Sequence, residues 1–186
     1  MSQLSGKKIL VLVSNGVDES VMSTVMRDLV KTGAVVKTVG TESGLVNSWN
    51  NNAWGLYFPV DQQVNQTLGA DFDFLIVPSG SRSVAKLATN AHAERIITSF
   101  ITACKPMAFM GNGVELLAKL NLAKGWNVSG PEATHTVMTT AGAVWDEEFT
   151  CTHNALFTGD CEKLQDFIKG MIAHFAAAPV ETKAAA

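Results

Sequence analysis

The 186-residue chain is expected to fold as an α/β protein, a three-layer sandwich around a mainly parallel sheet. Three observations carry that expectation. Residues 8–13 read as a continuous apolar run, the pattern of a strand buried on both faces. A helix and a second strand follow at once, and strand, helix and strand in so short a stretch imply a right-handed parallel crossover. Strand-like and helix-like segments then alternate to the end of the chain.

In chain order, the first helix gathers Val21, Met22, Val25, Met26, Leu29 and Val30 on one face, with Ser20 placed to cap its start and Gly33 to end it. Residues 34–39 make the second strand. Residues 47–52 read as a turn, and 54–60 as a short strand or hairpin at the sheet margin. Residues 72–77 are the clearest central strand, closed by Pro78-Ser79-Gly80. Helices follow over 84–88 and 92–103, the second turning Ile96, Ile97, Phe100 and Ile101 inward. A strand over 107–110, a strand near 126–129 and a helix after Pro131 come next. Short strands around Val144, Cys151 and Leu156 and a helix over 161–175 complete the order. One domain is expected over residues 1–178, with 179–186 as a flexible tail.

A chain of this size can bury a single core. Its 47% apolar and 17% charged residues argue against disorder and for extensive burial, a subunit interface included. The net charge of -3, without a basic run, leaves no source of phosphate neutralisation, so nucleic acid is not an expected partner. No segment approaches the roughly 20 apolar residues of a membrane span, and the first residues lead into a strand rather than a signal pattern. A cytoplasmic protein without a membrane partner is expected. Cys104, Cys151 and Cys161 are odd in number and widely spaced, which points to reduced thiols, with no metal and no cofactor expected.

Ligands of such folds sit beyond the carboxyl ends of the strands. Three loops leave those ends here: 15–19, 79–82 and 111–113. Residues 105–117 read as a buried strand, a tight turn and a helix, the arrangement that presents a nucleophile above the positive end of a helix. Gly111 stands where the nucleophile should. Glycine has no side chain to present and accepts positive φ without the strain a nucleophile would store. A helix terminus near Asn112 could hold a carboxylate or phosphate. The segment could equally be a plain strand-to-helix turn.

On Lys105-Pro106, the apolar strand, Gly113 and Leu116-Leu117, together with residues 8–13, 72–80 and 141–146, the chain resembles the DJ-1/PfpI (ThiJ/PfpI) superfamily. Gly16-Val17-Asp18, Pro59-Val60-Asp61 and Cys104-Lys105-Pro106 look most like the C-terminal domain of large-subunit catalases, which also lacks the cysteine. The resemblance implies a flavodoxin-like, class I glutamine amidotransferase-like fold and a homodimer. It further implies a cysteine at the position of Gly111, commonly a histidine at that of Asn112, an acid at that of Val21 and, in some members, a histidine at that of Pro131. With Gly111, Val21 and Pro131 in those places, no catalytic residue is expected. Ser79-Gly80 stands where the family has a turn whose amides contribute to an oxyanion hole, and donors without a nucleophile can still bind an anion.

The expected vestigial pocket therefore comprises Asp18, Glu19, Ser79, Gly80, Ser81, Gly111, Asn112 and Gly113, with Arg82 nearby favouring an anion. Asp18 and Glu19 could instead complement the first helix's N-terminus. His135 reads as a surface histidine. Cys151 and His153 would share a strand face, although a thiolate also needs a base or positive field. Cys104 is expected to be a small buried hydrophobe. The leading expectation is a pseudoenzyme that binds a small anion or a protein partner, with a stress-related or chaperone-like role. Its competitor is an intracellular protease, amidase or glyoxalase-like enzyme using a displaced nucleophile such as Cys151. A third reading is an assembly module whose pocket is filled by Met110, Trp54 or Trp145.

Overall fold

Strand β1 (Lys8–Val13) sends Leu10 and Leu12 into one apolar core and Ile9, Val11 and Val13 into another, so its unbroken apolar run serves two layers. The computed structural model describes residues 3–178, and the tail expected over 179–186 lies outside the described residues. Around β1 the sheet adds β3 (Val35–Gly40), β6 (Gln62–Gln63), β7 (Phe74–Val77), β8 (Met107–Met110), β11 (Thr150–His153) and β12 (Leu156–Gly159). A two-residue strand, β2 (Val17–Asp18), and a twelve-residue helix, α1 (Glu19–Val30), connect β1 to β3. The strand order is β11-β12-β8-β7-β1-β3-β6, with every pairing parallel except β11 against β12.

Helices α1 and α6 (Leu164–Ala177) cover one face with Met22, Val25, Leu29, Phe167, Met171 and Phe175. The other face is covered by α2 (Ser81–Leu87), α3 (Ala91–Thr102), α4 (Glu115–Lys119) and α5 (His135–Thr140). Each fully buried Leu, Met or Phe contributes about 1.5–3 kcal/mol through area removed from water. The expected three-layer α/β sandwich is therefore the observed one.

Three local expectations are corrected. Asp18 caps α1 by accepting from Val21 N at 3.0 Å, whereas Ser20 lies inside the first turn and donates to Asp18 at 2.7 Å. Val30, expected on the buried face, is 65% exposed at the last residue of the helix. Residues 47–52 are not one turn: β4 (Leu45–Asn50) pairs with β5 (Ala53–Pro59), and only Asn51 and Asn52 turn the chain, at φ 46° and 63°. Two consecutive asparagines at positive φ make the tight hairpin that suits strand twist, which leaves Val46 and Ser48 to alternate into the interior. This hairpin joins β2 in a separate three-stranded sheet, and β9 (Asn127–Val128) and β10 (Val144–Trp145) form a two-stranded one. Among the described residues no helix is long and apolar enough to cross a membrane.

Candidate functional site

The carboxyl ends of β1, β7 and β8 meet where the three loops were expected to converge. Asp18, Trp49, Ser79, Ser81, Arg82 and Asn112 line a cleft there of about 210 Å³, with Gly80 in its wall. Glu19, Gly111 and Gly113 do not line it.

The turn after β8 is made at a glycine and presents no side chain. Gly111 has φ 53° and opens a 3-10 turn, Gly111–Val114, before α4. The expected helix start at Asn112 is thus delayed to Glu115. A Cβ added at Gly111 would stand 2.9 Å from Ser79 Oγ and 3.3 Å from Cys161 Sγ, so both neighbours crowd the side-chain space of the turn. Gly113 backs onto the Val77 and Pro78 carbonyls, where a Cβ would come within 2.8 Å of Val77 O.

Cys161 arrives there through the sheet. Gly159 pairs with Met110 across β12 and β8, so the chain leaving β12 passes directly over the turn leaving β8. The terminal helix begins at Leu164 rather than near 161, and Asp160 accepts from Cys161 N at 2.6 Å and Glu162 N at 3.2 Å to hold the intervening loop. Burial, then the charges of Asp160 and Asp18, push the Cys161 thiol up to about 12. It is a protonated thiol at neutral pH, not a ready nucleophile.

Asn112 occupies the donors of the neighbouring loop. Its Oδ1 accepts from Ser79 Oγ at 2.7 Å and from Gly80 N at 2.8 Å, and its Nδ2 donates to Ser81 Oγ at 2.5 Å. The amide expected to face an oxyanion therefore faces a side-chain carbonyl of the same chain. Arg82 remains available: its guanidinium carbon lies 3.9 Å from the Trp49 ring centroid and 5.9 Å from that of Trp54, and it forms no ion pair among the described residues. Stacking on indole holds the cation while leaving its N–H edge free.

Glu19 is removed from the expected pocket. Its carboxylate accepts from Leu56 N at 2.6 Å, Ser48 Oγ at 2.7 Å and Asn50 Nδ2 at 2.9 Å, and the Leu56 amide leads in holding its pKa below the ordinary range. It staples the β4–β5 hairpin to α1.

The remaining candidates lie elsewhere. His135 faces Glu132 at 3.7 Å and the Trp145 ring at 4.9 Å, so Trp145 does not fill the pocket. Met110 packs into the α1–α6 core, and Trp54 is 52% exposed. Cys151 is buried, and burial and Asp146 push its thiol up to about 11. His153 is not its base, since Nδ1 accepts from Asn127 N at 2.8 Å. Cys104 is exposed at φ 51°, not buried, because the chain turns out of α3 at that residue to enter β8. Among the described residues no cluster of His, Cys, Asp and Glu could hold a metal ion.

The DJ-1/PfpI family model matches residues 7–174, and the chain belongs to that family. Among curated relatives it is 24% identical over 162 residues to the "Putative cysteine protease YraA" of Bacillus subtilis, covering 87% of this chain and 94% of that protein. It is 26% identical over 119 residues to catalase HPII of Mycobacterium avium, covering 64% of this chain but 16% of the catalase. Among solved structures, a two-domain protein of Anabaena variabilis with DJ-1/ThiJ/PfpI-like and ferritin-like domains superposes with a TM-score of 0.84 at 20% identity, over 97% of this chain and 52% of that one.

Proposed function

We propose that this chain is a non-enzymatic DJ-1/PfpI protein that binds a small carboxylate or phosphate in the cleft beside the β8 turn. The observation that carries the reading is the crowded turn: Gly111 presents nothing, and Cys161 and Ser79 close in on the place of its side chain. An acyl-transfer or glyoxalase-like mechanism needs a thiolate and free oxyanion donors together, and here the thiol is protonated and Gly80 N is bonded to Asn112. The stacked Arg82 supports an anionic ligand, and the cleft's volume suits a small one. A cytoplasmic homodimer with a stress-related, chaperone-like role fits the family resemblance. Its contact surface would be β5, an uncharged edge strand on which Trp54, Leu56 and Tyr57 are exposed.

The displaced-nucleophile reading keeps one specific support, which has moved from Cys151 to Cys161, the thiol that adjoins the turn. Conversion of methylglyoxal to lactate by the native protein and by Cys161→Ala separates the two. No turnover by the native chain, with acetate or phosphate binding that is lost in Arg82→Gln, is the expected result. Turnover by the native chain that Cys161→Ala abolishes would replace the binding reading with the enzymatic one.

A further inference from the structure

At the opposite end of the sheet from Gly111, the start of β8, the β11–β12 turn and the last turns of α6 enclose a concavity of about 420 Å³. We propose that it binds a small uncharged aromatic molecule bearing a hydrogen-bond donor, a phenol or an indole, using the His174 imidazole as its acceptor. Ile101, Pro106, Met107, Trp126 and Ala155 make its wall largely apolar. No Asp, Glu, Lys or Arg lines it among the described residues, so a charged ligand would lose its hydration with no counter-charge in return. The depression on the other side of Cys104 is different in kind, being lined by Lys7, Asp73 and Lys105. A volume of several hundred cubic ångströms with apolar walls and few convergent polar groups is the usual form of a small-molecule site.

His174 sets the polar requirement. Its Nε2 lies 3.1 Å from the Ala155 carbonyl oxygen, which can only accept, so Nε2 carries the proton and Nδ1 keeps a lone pair. Burial lowers the imidazole's pKa and favours this neutral form. Phe157 stacks on the ring at 5.7 Å and 23°, which fixes its plane. Asn154 also lines the concavity; an O–H or N–H donor on an aromatic frame suits these two polar side chains, and the ring suits the Trp126 and Met107 wall.

The test is a phenol titration of isotopically labelled protein followed by amide shifts, with benzoate as the charged comparator. Saturable shifts at Met107, Ala155 and His174 with phenol, and none there with benzoate, are expected. The exposed Cys104 lines the same concavity, so saturating phenol should also slow its alkylation by iodoacetamide several-fold. In His174→Phe, which keeps a flat apolar ring, phenol affinity should fall about tenfold, the worth of one hydrogen bond. Shifts confined to the Ser79–Arg82 cleft, equal binding of benzoate, or unchanged Cys104 alkylation under phenol would each overturn the proposal. The alkylation readout needs no variant and stands even where His174→Phe folds poorly.

Discussion

The sulfur of Cys161 lies 3.3 Å from the point where a Cβ on Gly111 would stand. Two residues fifty positions apart in sequence thus come into contact, because β12 runs beside β8 and the loops leaving them lie together.

Gly111→Cys should not create a catalytic thiol. The new Cβ would meet Ser79 Oγ at 2.9 Å and the residue would hold φ 53°, which costs a side chain about 1 kcal/mol or more. A lowered melting temperature and no methylglyoxal turnover are expected. Under mild oxidation, mass spectrometry should find the introduced thiol linked to Cys161, because the two sulfurs are forced together.

Asn112→Ala should lower stability by about 1–3 kcal/mol, since it strips partners from Ser79 Oγ, Gly80 N and Ser81 Oγ. The same change frees the Gly80 amide. Acetate or phosphate binding measured by calorimetry should therefore strengthen while the urea midpoint falls. Weaker anion binding in this variant would show that Asn112 is itself a ligand contact.

Alkaline stability should depend on Cys161. Its folded pKa is raised from an ordinary 9.0 to about 12, so its contribution is complete below pH 9.0 and is lost as pH climbs toward about 12. The unfolding free energy of the native protein should fall more steeply over that range than that of Cys161→Ala. Cys151 contributes to both proteins alike. Parallel slopes would mean that the thiol is less enclosed than its packing implies.

Much of the fold was legible because it rests on local patterns. Residues 8–13 and 107–110 were bounded correctly by apolar runs, and the turn at Gly111 followed from the strand before it. The site was legible only in part. Ser79, Gly80, Ser81 and Asn112 gather as expected because each follows the end of a central strand. Glu19 left the group because its hydrogen-bond partners come from a hairpin that the run of asparagines disguised as a turn. Cys161 went unnoticed for a different reason: nothing in its neighbourhood announces it, and its position depends on which strand lies beside β8. Trp49 was hidden by the same misread hairpin.

Glu19→Gln should loosen that hairpin specifically. It weakens a carboxylate that accepts from Leu56 N, Ser48 Oγ and Asn50 Nδ2. Faster hydrogen exchange is expected at Trp49 and Leu56, with little change in β1 or β7. Uniformly faster exchange across the sheet would point to global destabilisation instead.

Tyr57→Lys places a charge on the exposed edge of β5. If that edge carries the proposed homodimer, the variant should sediment as a monomer at concentrations where the native chain is dimeric. An unaltered dimer would assign the contact to another surface.

The crowded turn also makes substitutions around it interdependent. A cysteine introduced at position 111 alone would press on Ser79 and Cys161, and it would meet an amide donor already committed to Asn112. Each change is penalised until the other has been made. The turn is thus held by its neighbours on two sides: a side chain at position 111 requires Ser79 and Cys161 to give way, and a free amide beside it requires a second change, at Asn112.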